Sequence, residues 1–164
     1  MKKLYIIRHA KSDWKHSDLL KDIDRPLSAR GIRNAYEMAE RLKVKNSQPD
    51  YVLASAGIRA LHTSVIFSHQ LGFDDSLIHV KKDLYHAAPN EILRQIRQVD
   101  NAIENLFLFA HNPGISEFVG EVRLFIENMP TCAVIEFSTE TNWDDLSFKD
   151  LKLVDIDSPK MIKK

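Results

Sequence analysis

Apolar positions along the chain fall into short runs and helical stripes that alternate. Leu4 to Ile7 is a compact apolar run of the kind that fits a buried strand. Pro26-Leu27-Ser28 then offers a turn and an N-cap, because the Ser28 hydroxyl can accept from exposed helix amides. Beyond it Ile32, Ala35, Met38, Ala39 and Leu42 recur at helical spacing, and Pro49 stops that element. Tyr51 to Ala54 reads as a second buried strand. It is followed by a helix with Ile58, Leu61, Val65, Ile66 and Leu71 inward and Gly72 at its end. Leu77 to Val80 predicts a third strand, and Pro89 suits the first turn of a helix carrying Ile92, Leu93 and Ile96. Leu106 to Ala110 is the clearest strand, and Ile115 to Phe125 predicts a fourth helix. Ala133 to Phe137 and Leu151 to Val154 read as two late strands, paired as a hairpin.

This alternation predicts an α/β fold, with a mostly parallel sheet whose last two strands break the parallel order. Nothing repeats and no linker interrupts the pattern, so residues 1–158 are expected to form one domain and 159–164 a frayed, solvated tail. At 164 residues the chain is long enough for a sizeable core. Its 23 basic and 23 acidic residues cancel, which argues against a nucleic-acid partner. A single cysteine, Cys132, allows no internal disulfide and fits a reducing compartment. No apolar run approaches a membrane span, and the start is too short in apolar residues for a signal peptide. A soluble cytoplasmic protein is therefore expected.

In an open α/β sheet, ligands bind beyond the carboxyl ends of the strands. Those ends read Arg8-His9-Ala10-Lys11-Ser12, Ser55-Ala56-Gly57-Ile58-Arg59, Leu84-Tyr85-His86 and His111-Asn112-Pro113-Gly114. Two arginines and three histidines thus gather on one rim without a matching carboxylate cluster. That combination suits an anion, and phosphate best, because arginine presents a planar fork to its oxygens. Taken singly, each residue reads equally well as an ordinary polar strand end.

Taken together they resemble the histidine phosphatase superfamily, with its phosphoglycerate-mutase-like fold, and most closely its small SixA-like branch. That family's opening Arg-His-Gly corresponds to Arg8-His9-Ala10. Its Ser-Pro-x-x-Arg-Ala-x-x-Thr corresponds to Ser55 through Thr63, and its second histidine, at the end of a late strand, to His111. Asp22 through Gly31 is similar to the branch's Arg-Pro-Leu-[Ser/Thr]-x-x-Gly segment. The resemblance implies a three-layer α/β/α sandwich around a mostly parallel sheet of about six strands. It implies a phosphatase that needs no metal or other cofactor and works through a covalent phosphohistidine. His9 would be the nucleophile, with Arg8, Arg59 and His111 holding the transferring group. Lys11, Ser12, Asp22, Arg25, His86 and Asn112 are the substrate-binding candidates. For Asp22 and Arg25 a structural ion pair between loops is the competing reading.

Several positions depart from the pattern. Ala10 replaces glycine, Ala56 replaces proline, and Lys11 adds charge where glutamate or glutamine is common. More consequential is the proton donor. Where relatives that cleave phosphomonoesters carry Leu-x-Glu, this chain has Leu84-Tyr85-His86. His86, Glu91, Asp22 and Asp24 are the remaining candidates. An alkoxide leaving group needs an acid, whereas imidazole needs less help, so a phosphohistidine on a protein is the expected substrate. A small-molecule phosphomonoester, or a phosphate-binding module with little turnover, is the alternative, and a mutase is weaker still. A cysteine phosphatase is excluded, because Ser138 stands where Cys132-x5-Arg would need its arginine. Asp155 and Asp157 are expected to be solvated. Trp14 either covers the site entrance or packs on the domain edge, and His16, His62, His69 and His79 are ordinary surface or boundary histidines.

Overall fold

The computed structural model describes residues 1–161. It contains a six-stranded mixed sheet built from β1 (Lys2–Arg8), β2 (Tyr51–Ser55), β3 (Ile78–Lys81), β4 (Asn105–Ala110), β5 (Val134–Thr139) and β6 (Lys152–Asp157). The order across the sheet is β3-β2-β4-β1-β5-β6. The first four strands in that order run parallel, β5 runs antiparallel to β1, and β6 runs antiparallel to β5. Four helices cover the faces: α1 (Ala29–Val44), α2 (Ile58–Leu71), α3 (Pro89–Arg97) and α4 (Gly114–Glu121).

Each central strand feeds two cores, which explains its unbroken apolar sequence. Leu4, Ile6, Leu53, Leu106 and Leu108 pack with Ile92, Ile96 and Phe118 of α3 and α4. Tyr5, Ile7, Val52, Phe107 and Phe109 face Met38, Leu42 and Phe67 of α1 and α2. The result is the expected three-layer sandwich. Its helix boundaries follow local chemistry. Ser28 accepts from the Gly31 amide at 3.0 Å, Pro89 sits at the start of α3, and Gly72 ends α2 in the left-handed conformation at φ 80°.

The third predicted strand forms over Ile78–Lys81, at an edge of the sheet where only β2 flanks it. Other expectations need correction. α4 ends at Glu121 rather than Phe125: Val122, Leu124 and Ile126 keep touching the core, but from a loop, and Phe125 is 94% exposed. Asp155 and Asp157 are not simply solvated. Asp155 pairs with Lys45, and buried Asp157 pairs with Arg41 at 2.8 Å. Arg41 also donates to the carbonyls of Ser158 and Met161, each at 2.9 Å, so the described end of the presumed tail is tied to α1. Lys163 and Lys164 lie outside the described residues. β5 and β6 do pair, across a long connection containing Trp143 and Phe148 rather than a tight turn.

Candidate active site

The parallel register brings the ends of β1 and β4 side by side, with Arg8 opposite Ala110. His9 continues the ladder, donating its amide to the Ala110 carbonyl at 3.2 Å. His9 and His111 thus emerge from adjacent strands, with ring centroids 5.3 Å apart, and both are at least 95% buried. Arg59 enters from the first turn of α2, immediately after β2.

The His9 ring is fixed from two sides. Its Nδ1 donates to the Ala10 carbonyl at 2.7 Å, which leaves the lone pair on Nε2. The Nε–H of Arg59 points to that Nε2 at 3.4 Å. Burial pushes the His9 pKa down to about 3, and the guanidinium charges of Arg59 and Arg8 add to the shift. His9 is therefore neutral at pH 7, with its free nitrogen facing a cation. The Thr63 hydroxyl accepts from the Ala10 amide at 3.0 Å and donates to the Arg59 carbonyl at 2.7 Å. One side chain thereby ties the peptide that orients His9 to the turn that carries Arg59.

His111 is set by Ser55 and Gly57. Its Nε2 lies 2.6 Å from the Ser55 hydroxyl, which also accepts from the Gly57 amide. A Cβ on Gly57 would fall 2.7 Å from Cε1 of the ring, so only glycine leaves room for it. Burial, followed by the proximity of His9 and Arg59, depresses the His111 pKa strongly. Arg8 donates to the Met129 carbonyl at 2.8 Å. Asn112 supports that carbonyl's loop, donating to Asn128 and Met129 and accepting from Ser116.

Above this floor lies an open cleft of about 370 Å³. Arg8, His9 and Arg59 line it, and so do all six of the binding candidates: Lys11, Ser12, Asp22, Arg25, His86 and Asn112. His111 sits behind, against His9. Trp14 also reaches the cleft, with its ring 3.6 Å from the Arg25 guanidinium carbon, which resolves its two readings in favour of the entrance. Glu91 instead pairs with Arg94 and bonds Gln95, and neither it nor exposed Asp24 lines the cleft.

Asp22 joins the two walls. Its backbone carbonyl and carboxylate accept from Arg59 at 2.7 and 3.0 Å, and the carboxylate also accepts from Arg25 at 3.1 Å. The Tyr85 hydroxyl donates to the same carboxylate, and His86 Nε2 lies 3.3 Å from it. Burial opposes ionisation of Asp22, but the bonds from Tyr85, Arg25 and Arg59 outweigh it and hold the carboxyl below the usual range. The ion pair read as structural and the site-lining reading are thus both true of this residue.

Reading the sequence alone misses four groups here: Thr63, Gly57, Ser55 and Tyr85. The first three stand within the segment from Ser55 to Thr63 that carries Arg59, which was the available signal. Tyr85 had none. Among the described residues, four buried side-chain nitrogen or oxygen atoms have no hydrogen-bond partner, and three belong to this site: Nε of Arg8, Nε of Arg25 and Nδ1 of His111. Buried nitrogens left unpaired beside several cations suit a ligand that accepts hydrogen bonds and carries negative charge.

Known proteins share the fold. The structure of a candidate phosphohistidine phosphatase SixA from Nakamurella multipartitia superposes with a TM-score of 0.82 at 21% identity, covering 98% of this chain and 97% of that one. The protein histidine phosphatase SixA complexed with tungstate gives 0.81 at 20% identity, covering 96% and 97%. At these identities the likeness is one of fold. An uncharacterized Mycobacterium tuberculosis protein is 28% identical over 151 residues, spanning 85% of this chain and 91% of its own. The family model of the histidine phosphatase superfamily (branch 1) matches residues 4–88, from β1 through the segment carrying Arg59 to His86. With slightly more than half of its length matched, the chain belongs to the histidine phosphatase superfamily.

Proposed function

We propose that this protein is a phosphatase that hydrolyses phosphohistidine on proteins through a covalent phosphohistidine of its own. The observation that carries the reading is the state of His9: buried, neutral, tied at Nδ1 and open at Nε2 beside Arg59. In this scheme Nε2 attacks phosphorus in line and displaces the leaving group. Arg8, Arg59 and His111 hold the equatorial oxygens, where charge spreads in the transition state. Water then attacks the phosphoryl-His9 bond, releasing phosphate and restoring the free ring.

The leaving-group side supports the choice of substrate. Among the described residues Asp22 is the single carboxylate lining the cleft, and its partners hold it ionised, so it is a poor proton donor. A phosphoramidate nitrogen leaves with little help from an enzyme acid, whereas an alkoxide does not. A phosphomonoester substrate is the second reading, favoured by His86, which stands at the cleft beside Asp22 and would have to donate the proton.

The test gives wild type and His9→Ala a phosphoramidate and an aryl phosphomonoester in the presence of chelator. Acid-labile phosphate trapped on wild type, with turnover down at least ~10³-fold in His9→Ala, is the expected result. Normal turnover in the variant would refute the nucleophile, and strict dependence on added metal would refute the scheme. Comparable rates on the two substrates would move the assignment to phosphomonoesters, with His86 as acid.

A further inference from the structure

Beside the active-site cleft lies a second hollow of about 340 Å³. Arg8, Lys11 and Thr131 line both spaces, whereas His9 and Arg59 line only the first. The far side of the hollow is formed by Arg30 in the first turn of α1, by Asn34 one turn on, and by Lys160 beyond β6. Four of its lining side chains are arginine or lysine, and among the described residues none is acidic. Among the described residues no ion pair reaches Lys11, Arg30 or Lys160.

This concentration of charge is not general to the protein, whose basic and acidic residues balance. Elsewhere on α1, Arg41 and its neighbour Glu37 form an ion pair, as does Arg41 with Asp157. Like charges facing one hollow repel one another, and an anion between them relieves that repulsion. Nor is Lys160 loose. Arg41 clamps Asp157, the Ser158 carbonyl and the Met161 carbonyl, and so brackets Lys160 on both sides. Arg8, which lines both spaces, has a buried Nε without a hydrogen-bond partner.

We propose that this hollow is a second anion-binding subsite, and that the substrate carries a further phosphate or carboxylate beside the phosphoryl group it loses. The subsite itself rests on the charge and shape of the hollow. Its role in substrate choice rests on the phosphatase reading above. A substrate engaging both spaces would be selected over one carrying a lone phosphoryl group, without any change in the chemistry at His9.

Calorimetric titration with orthophosphate and with tripolyphosphate separates the two ideas. Wild type is expected to bind tripolyphosphate more tightly than orthophosphate. In Arg30→Ala/Lys160→Ala that preference should shrink by about tenfold, the size expected when charge-assisted hydrogen bonds are lost. The control is Arg33→Ala/Lys43→Ala, which removes the same charge from exposed positions on α1 that do not line the hollow. An unchanged preference in the first variant, or an equal loss in the control, overturns the subsite. If wild type fails to bind orthophosphate, the phosphatase reading falls. A tripolyphosphate affinity that still depends on Arg30 and Lys160 would then uphold the subsite alone.

Two further substrates identify the source of the second anion. One is a phosphohistidine peptide with flanking aspartates, compared with its alanine counterpart. The other is a small bisphosphate, compared with its monophosphate. A preference for either doubly anionic form that is lost in Arg30→Ala/Lys160→Ala supports the subsite and names its ligand. Failure of both pairs to discriminate counts against it.

Discussion

The floor and the rim of the cleft both carry histidine and arginine but are held by different physics. On the floor, His9, His111 and Arg59 are almost wholly buried, and each is bonded to backbone or to a side chain fixed by secondary structure. On the rim, Trp14 and Lys11 are exposed, and His86 and Asp22 are roughly half exposed. Burial makes electrostatic effects large and geometry unique, so the floor can set the chemistry. Exposure screens charge and permits movement, so the rim can contribute selection but little rate. Arg25 shows that position alone does not decide. It is buried, but its neighbours are Trp14 and Ser12 in the first loop rather than a strand end.

Paired arginine variants test that contrast most strongly. Arg59→Ala removes a charge aimed at Nε2 of His9 and also releases Asp22. We expect kcat/KM to fall about 10²- to 10³-fold, as for loss of a preorganised transition-state donor. Arg25→Ala should cost about tenfold or less, mainly in KM. Equal losses in steady-state kinetics would dissolve the distinction between floor and rim.

Gly57→Ala probes the floor without removing any charged group. The added methyl would meet the His111 ring, which must tilt away from Ser55. The backbone of Gly57, with φ −59° and ψ 127°, suits alanine, so the effect is steric. A loss of about 10- to 10²-fold in kcat is expected, following displacement of one positioned group. The melting temperature should fall little. A variant with full activity would show that the place of His111 is not fixed by Gly57.

Thr63→Val is smaller again. It leaves the Ala10 amide without its acceptor and loosens the carbonyl that orients His9. The expected loss is about tenfold in kcat with KM nearly constant, and about 1–3 kcal/mol in stability from the unsatisfied amide. Thr63→Ser, which keeps the hydroxyl, should recover most of the rate. If serine fails to rescue the loss, the methyl group and not the hydrogen bond is what matters.

These residues were unequally legible in the sequence. Arg8 and His9 stood out because a strand buried on both faces stops abruptly at charge, and Arg59 and His111 because they occupy equivalent strand ends. Gly57 was signalled only by lying in the segment that carries Arg59, since the ring it accommodates follows β4, far along the chain. Asp22 was nameable only as a candidate, because its partners Tyr85 and His86 arrive from beyond β3. Asp157 misled for the same reason: a carboxylate at the end of the last strand looks solvated until Arg41 of α1 is placed against it. In α4, the stretch from Ile115 to Phe125 predicted a helix that runs past its true end at Glu121, because Val122, Leu124 and Ile126 pack on the core from a loop. Patterns along the chain report burial well, and they report which distant segment provides the partner poorly.

The smallest effect follows from the same buried histidines and concerns stability. Imidazole in an unfolded chain takes a proton near pH 6.5, whereas His9 in the native protein resists it down to about pH 3. Between those values the unfolded state binds more protons, so acidification favours unfolding. His111 is depressed by the same causes and adds in the same direction. Asp22, ionised in the fold and held below the usual carboxylate range, adds a further loss only under about pH 4, where the unfolded carboxyl takes its proton. Stability should therefore decline steadily on going from pH 6.5 to pH 4, before Asp22 contributes. His9→Asn/His111→Gln should flatten that part of the curve, as read from urea midpoints at each pH. Rim variants such as His86→Asn, whose side chain is 54% exposed, should leave it in place. If the floor variant declines as steeply as wild type, the two buried rings do not carry the acid sensitivity. The electrostatic difference between floor and rim would then be smaller than their burial implies.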